Sequence, residues 1–197
     1  MPSNLEIAAN LINLLAVLLA ARNSVHTWTL GVVGCLLFGW MFYTVQLYAD
    51  VVLQGFFIVT SLMGCWAWLR GAAGSALPIS RTAPRDLLAM ALLAFVVASA
   101  YAWLLHHFTD AYAPWVDSLV LAFSVLAQLL LMRRRLENWF IWLLVNSLAV
   151  PLYASRGLYL TAALYLLFWF NAWYGLYRWR AELREQGRSV VAAGAPA

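Results

Sequence analysis

Seven stretches of the sequence are apolar along almost their whole length, and short polar segments separate them. Each has close to the roughly 20 residues that a helix needs to cross the hydrocarbon core of a bilayer. Backbone polar groups in lipid must be satisfied internally, which favours helices, and a continuous apolar run such as 87–105 lacks the alternating polarity of a barrel strand. The predicted transmembrane helices are 5–22, 28–48, 50–70, 86–106, 116–133, 138–155 and 158–179.

The composition supports a membrane protein and excludes several other classes. Of the 197 residues, 65% are hydrophobic and only 10% are charged, whereas a soluble domain has about 25% charged residues. A soluble enzyme, a nucleic-acid-binding module and a large ectodomain are therefore excluded. No grouping of nucleophile and base, of metal ligands or of phosphate-binding glycines is present, so the sequence predicts no catalysis, no metal and no cofactor.

The positive charges predict an orientation. All 12 basic residues are arginines, and only Arg156 falls on the opposite side from the other 11 when the seven helices are threaded through a membrane. Arginine-rich loops stay in the cytoplasm. We therefore expect an outside N-terminus and a cytoplasmic C-terminus.

The sequence repeats itself at an offset of 111 residues. Without a gap, this offset aligns 15–22 with 126–133, Trp28 with Trp139, Gly64 with Gly175 and Trp68 with Trp179. Three helices plus one connecting helix return the second copy in the same direction, which is the plan of parallel repeats in SWEET-type transporters.

The expected organisation has four parts. Residues 1–70 form a first three-helix repeat, 71–110 a linker with the fourth helix, 111–180 a second repeat, and 181–197 a cytoplasmic tail. We expect the helix to fray after Trp179 and the tail to be disordered.

The predicted membrane interior holds neutral polar and aromatic side chains but no ionised group, since every acidic residue falls at a helix end or in a loop. A charge at membrane depth usually marks an ion path or a proton relay. Its absence favours movement of a solute down its own gradient.

One helical stripe predicts a substrate site. Trp139, Trp142 and Asn146 have the spacing i, i+3 and i+7, so two indoles and an amide can stack and hydrogen-bond a flat, possibly cationic ring. Gln54, Asn171, Tyr165 and Trp28, the repeat mate of Trp139, complete the predicted site. Interhelical hydrogen bonding for the amides, and an interfacial belt for Trp139, are the alternatives. Trp66, Trp68, Trp115 and Trp179 are expected to be belt residues.

Two segments resemble PnuC-type vitamin transporters. One is 47–57 with the following Gly64, Trp66 and Trp68; the other is 136–146, which contains Trp139, Trp142 and Asn146. The resemblance implies seven helices in a 3+1+3 arrangement, a bacterial inner membrane and a homotrimer. It also implies substrate contacts from Gln54, Trp139, Trp142 and Asn146.

The resemblance further implies facilitated uptake of an unphosphorylated vitamin precursor, typically nicotinamide riboside, which a cytoplasmic kinase then traps. Gly34 stands where some nicotinamide riboside transporters have an asparagine, so thiamine and riboflavin stay open as substrates. A membrane scaffold or sensor subunit without a solute path is the alternative from another class.

Overall fold

The computed structural model describes residues 4–44, 48–70, 77–108, 113–155 and 159–194. Helices account for nearly all of them, and the all-α class with seven helices is confirmed. The helices are α1 (Asn4–Ala21), α2 (His26–Thr44), α3 (Tyr48–Arg70), α4 (Pro84–Phe108), α5 (Pro114–Met132), α6 (Asn138–Ser155) and α7 (Tyr159–Gly194).

The last helix is longer than predicted. α7 continues for 36 residues to Gly194, so the expectation of fraying and disorder after Trp179 is wrong as far as Gly194. The extension is anchored at its start, because Asn23 Nδ2 donates to Glu182 Oε1 at 2.6 Å and Leu183 packs on the apolar core at this end of the bundle.

Six of the helices form a closed ring. Among the described residues, the contacting neighbours run in the order α1, α2, α3, α5, α6, α7 and back to α1. The two halves of the chain meet at two places, between α1 and α7 and between α3 and α5. We call these the α1–α7 seam and the α3–α5 seam.

The fourth helix lies outside the ring and contacts α5 alone among the described helices. Its buried face consists of Ala94, Ala98 and Ala102, small residues that let two helices approach closely. α4 and α5 are each long and apolar enough to cross a membrane, and only 17% of the apolar window of α4 is buried. The rest of α4 is therefore available to lipid.

The first turn of each half, between α1 and α2 and between α5 and α6, has the same backbone structure. Asn23 between α1 and α2, and Arg134 between α5 and α6, both have positive φ, at 58° and 48°. The Asn23 N–H donates to the Ala20 carbonyl at 3.0 Å and the Arg134 N–H to the Leu131 carbonyl at 2.9 Å. The two sets of residues are 111 apart, which supports the repeat hypothesis. The end of the bundle that carries these turns is called the arginine end below.

Four tryptophans fill the arginine end. Trp28 and Trp68 meet edge to face with ring centroids 5.3 Å apart, and their repeat mates Trp139 and Trp179 meet in the same way at 5.4 Å. Trp68 and Trp179 connect the two pairs at 5.9 Å. We call this group the tryptophan joint.

Each half of the joint depends on a glycine. A β-carbon at Gly64 would lie 2.7 Å from the Trp28 ring, and one at Gly175 would lie 2.6 Å from the Trp139 ring. The prediction that Trp68 and Trp179 belong to an interfacial belt is wrong, because they are 2% and 0% exposed. Their indole N–H groups bond to the ends of helices from the opposite half instead.

Candidate functional site

The depth of each predicted site residue follows from the pairing of α6 with α7. These helices are antiparallel: Trp139 packs on Gly175, and further along Trp169 Nε1 donates to Ser147 Oγ at 3.1 Å. Asn146 lies eight residues after the start of α6, and Asn171 lies eight residues before Trp179. At 1.5 Å per residue, Asn146 is about 12 Å from the start of α6, and Asn171 is about 12 Å from Trp179, at the level of the tryptophan joint.

Both amides are buried, with Asn146 2% and Asn171 5% exposed. Asn171 Nδ2 donates to the Val17 carbonyl of α1 at 2.8 Å, while its Oδ1 has no partner among the described residues. A buried acceptor without a partner costs about 1–3 kcal/mol, so a ligand donor that reached this oxygen would remove that cost.

A third amide lies at this depth. Asn13 is eight residues before the end of α1, and its Nδ2 donates to the Ala9 carbonyl at 3.2 Å. A β-carbon at Gly34 of α2 would lie 2.8 Å from Asn13 Oδ1. The glycine therefore leaves the space that the Asn13 amide occupies.

Thr60, the repeat mate of Asn171, is buried and lies eight residues before Trp68, as Asn171 lies eight residues before Trp179. Its hydroxyl donates within its own helix, to the carbonyls of Phe56 and Phe57, both at 3.1 Å. Asn13, Thr60, Asn146 and Asn171 are called the polar layer below. Thr60, Asn146 and Asn171 are buried and Asn13 is partly buried, which in a bundle surrounded by lipid places them towards the interior of the ring.

Trp142 lies one turn closer to the arginine end than Asn146. It is partly buried and packs against both apolar cores, the one around the tryptophan joint and the one between α4, α5 and α6. Its position between the joint and the polar layer suits an indole on which a ring could stack.

Gln54 and Tyr165 are repeat mates on the far side of the polar layer. Gln54 is partly buried beside Gly39, where a β-carbon would lie 3.7 Å from its Cβ. The Tyr165 ring is 4.9 Å from that of Tyr153 and 5.6 Å from that of Phe168. These two residues are about 9 Å further along their helices than Thr60 and Asn171, at six residues of 1.5 Å each.

Trp28 and Trp139 belong to the tryptophan joint and not to the polar layer. Both are 2% exposed, and each ring is enclosed by a glycine and a second indole. Their Nε1 atoms are buried without a partner among the described residues. The predicted site is thus divided into two groups of different depth.

Two contacts of residues outside the predicted site depend on how the helices pack. Asn13 is a polar residue of the first predicted helix, but the space beside Gly34 that receives its amide cannot be read from the sequence. Ser147 pairs with Trp169 across α6 and α7, and only the antiparallel pairing of these helices brings the two together.

Charges are concentrated at the arginine end. The guanidinium of Arg134 lies over the Trp68 ring, 4.2 Å from its centroid, and donates to the Leu77 carbonyl and, at 3.5 Å, to the Asn23 carbonyl. Burial lowers the pKa of Arg134, and the negative charge of Glu182 acts in the opposite direction. The charged side chains of Arg134 and Glu182 therefore lie at the arginine end of the ring, next to the tryptophan joint.

A cavity of about 390 Å³ lies at the same end but outside the ring, between the first turn of α4 and the end of α5. Arg133, Arg135 and Asp86 contribute its charged lining. None of the predicted site residues lines it, so it is separate from the polar layer.

Residues 3–181 match the nicotinamide mononucleotide transporter family. The chain belongs to this family. It is therefore a multi-pass membrane protein of a transporter family, and the resemblance to PnuC proteins is confirmed.

The relatives of this chain are named as transporters of different vitamins. The nicotinamide riboside transporter PnuC of Escherichia coli is 25% identical over 214 residues, covering 95% of this chain and 89% of its own. The riboflavin/roseoflavin transporter RibM of Streptomyces davaonensis is 28% identical over 197 residues, covering 98% of this chain and 91% of its own.

A solved structure has the same fold. The crystal structure of the vitamin B3 transporter PnuC superposes with a TM-score of 0.71 at 23% identity, covering 90% of this chain and 80% of the other. At this identity the match supports the arrangement of helices and nothing finer.

Proposed function

We propose that this protein is a facilitative transporter of nicotinamide riboside across the bacterial inner membrane. The observation that carries the proposal is the pair of buried amides, Asn146 and Asn171, at one depth inside the ring of a chain that belongs to this family. The substrate comes from the names of relatives, among them the E. coli protein.

In this proposal the pyridinium ring stacks on Trp142, and the amides of Asn146 and Asn171 hydrogen-bond the polar groups of the substrate. Asn171 Oδ1 has a free acceptor position for this purpose. Gln54 and Tyr165 line the path on the far side, and Trp28 and Trp139 close it at the arginine end.

The charge distribution favours a substrate without a phosphate. α6 contains no charged residue, and α7 contains none before Arg178. A phosphate at the polar layer would need an arginine or a cluster of amide donors to replace its water. The nucleoside, not the nucleotide, therefore fits, and a cytoplasmic kinase that phosphorylates it would make uptake directional.

Orientation and assembly complete the proposal. The arginine end faces the cytoplasm, as the arginine distribution indicates, so the N-terminus is outside. The two repeats, 1–70 and 111–180, move against each other around the substrate, and three copies assemble as a homotrimer.

Riboflavin is the second candidate, because RibM matches almost the whole chain. The decisive experiment measures uptake of nicotinamide riboside, nicotinamide mononucleotide, thiamine and riboflavin into liposomes that contain only this protein. We expect nicotinamide riboside to equilibrate, without dependence on a proton or sodium gradient. Entry of riboflavin alone would reassign the substrate, and no entry of any of the four would favour a scaffold or sensor subunit.

A further inference from the structure

The two seams that close the ring are held by different numbers of side chains between the polar layer and the arginine end. A transporter must separate its halves at one end to release substrate, so at least one seam has to open. The contacts across each seam show which of the two depends on fewer side chains.

The α1–α7 seam is held by three separate side chains. Asn171 Nδ2 donates to the Val17 carbonyl at 2.8 Å, and Trp179 Nε1 donates to the Ala20 carbonyl at 3.3 Å. Glu182 Oε1 accepts from Asn23 Nδ2 at 2.6 Å. These contacts extend along 11 residues of α7, or about 16 Å of helix.

The α3–α5 seam depends on one side chain. Trp68 Nε1 donates to the carbonyls of Leu131 and Met132 at 3.3 and 3.2 Å, and Arg134 lies over the same ring. Thr60, which replaces Asn171 in this repeat, bonds within α3 instead. At this end, the described hydrogen bonds between α3 and α5 themselves are therefore those of Trp68, while Arg134, on the turn after α5, also donates to the Leu77 carbonyl and, at 3.5 Å, to the Asn23 carbonyl.

We propose that Trp68 is the latch of the transporter: the ring opens at the arginine end along the α3–α5 seam, while the α1–α7 seam stays closed and acts as the hinge. The proposal rests on the transport function proposed above. It assigns different roles to two tryptophans that are repeat mates and are almost equally buried.

The chain contains its own reporter of this movement. Cys65 lies one turn before Trp68 on α3, is partly buried and packs against the tryptophan joint. Residues three apart on a helix share a face, so opening of the α3–α5 seam exposes the Cys65 thiol. Cys35 of α2 is 8% exposed and serves as the internal reference.

The test compares W68F with W179F, which removes the equivalent indole donor from the other seam. The full-length protein in liposomes is treated with N-ethylmaleimide, and mass spectrometry follows modification of Cys65 relative to Cys35. We expect W68F to raise the Cys65 rate about three- to tenfold, the factor that corresponds to one lost hydrogen bond, and W179F to raise it less than about twofold. Equal rates in the two variants, a larger effect of W179F, or no change in a folded W68F would overturn the proposal.

A second variant covers the case in which W68F does not fold. R134Q removes the guanidinium over Trp68, together with its bonds to the Leu77 and Asn23 carbonyls, but leaves the tryptophan joint intact. It should also raise the Cys65 rate, and an unchanged rate would contradict the latch. The labelling requires no substrate, so its result stands even if the liposome uptake experiment rejects nicotinamide riboside.

Discussion

The tryptophan joint and the polar layer lie about 10–12 Å apart along the helices of the same bundle, and they differ in symmetry. In the joint, every residue has an identical repeat mate: Trp28 with Trp139 and Trp68 with Trp179. In the polar layer the mates differ, since Asn171 corresponds to Thr60 and Asn146 to Cys35. A ligand without two-fold symmetry needs unlike groups around it, so the asymmetric layer is the better place for binding and the symmetric one for holding the halves together.

The two regions also differ in the rigidity of the side chains that pack against their glycines. A β-carbon at Gly64 would lie 2.7 Å from the Trp28 ring, and one at Gly34 would lie 2.8 Å from Asn13 Oδ1. The first neighbour is a rigid indole between other rings, whereas the second is the end of a flexible side chain. An added β-carbon should therefore destabilise the protein at Gly64 but have little effect on its stability at Gly34.

Substitution in the joint should have the largest effect. G175A and G64A would each force an enclosed indole to move, and overpacking of this kind costs about 1–3 kcal/mol. We expect both variants to melt at a clearly lower temperature in detergent, and by similar amounts. G55A is the control, because a β-carbon at Gly55 meets nothing within 4 Å and alanine favours the helix by up to about 1 kcal/mol. Melting of G175A at the wild-type temperature would show that the joint is looser than its geometry indicates.

In the polar layer, N146L should weaken binding without unfolding the protein. Leucine has the same branching and the same number of heavy atoms but cannot hydrogen-bond a substrate, and the loss of such a bond reduces affinity by about tenfold. Calorimetric titration with nicotinamide riboside measures this loss. C35A alters the repeat mate and should keep the affinity within about twofold; equal losses in the two variants would contradict the asymmetry of the layer.

Much of this fold follows from the sequence. The apolar stretches place all seven helices, and the ungapped offset of 111 residues identifies Trp28, Gly64 and Trp68 as mates of Trp139, Gly175 and Trp179. Those matches could not reveal that the residues contact each other. Trp68 and Trp179 were expected in the interfacial belt because a tryptophan near a helix end suits either environment, and only the neighbouring helices decide between them.

The sequence predicts the candidate site only in part, because spacing along a helix does not show which neighbouring residues each side chain contacts. The i, i+3, i+7 spacing correctly places Trp139, Trp142 and Asn146 on one stripe of a helix, but a stripe 7 residues long covers about 10 Å of depth. One end of it reaches the joint and the other the polar layer. Asn13 was not placed in the site, because its position depends on the absent side chain at Gly34. The extension of α7 was not predicted, because its charged residues resemble a solvated tail.

Asn171 and Thr60 provide a direct comparison of the two repeats at one depth. N171L removes the bond to the Val17 carbonyl and the free Oδ1, so we expect about a fivefold loss of affinity for nicotinamide riboside and a lower melting temperature. T60V removes a hydroxyl that bonds only within α3 and should change the affinity less than about twofold. A larger effect of T60V would place the substrate nearer the first repeat.

The smallest expected effect is that of G34A, where the neighbouring side chain can move, in contrast to the rigid indole beside Gly64. G34A would push the Asn13 amide aside, and because that amide can rotate, we expect the melting temperature to stay within a degree or two of the wild type, in contrast to G64A. If Asn13 contributes to the substrate site, its displacement should weaken binding by about threefold, equivalent to roughly 0.6 kcal/mol. N13L in the wild-type background removes the amide altogether and should produce a loss at least as large. Full affinity in both variants would remove Asn13 from the site, whereas strong destabilisation by G34A would mean that the polar layer is packed as rigidly as the joint.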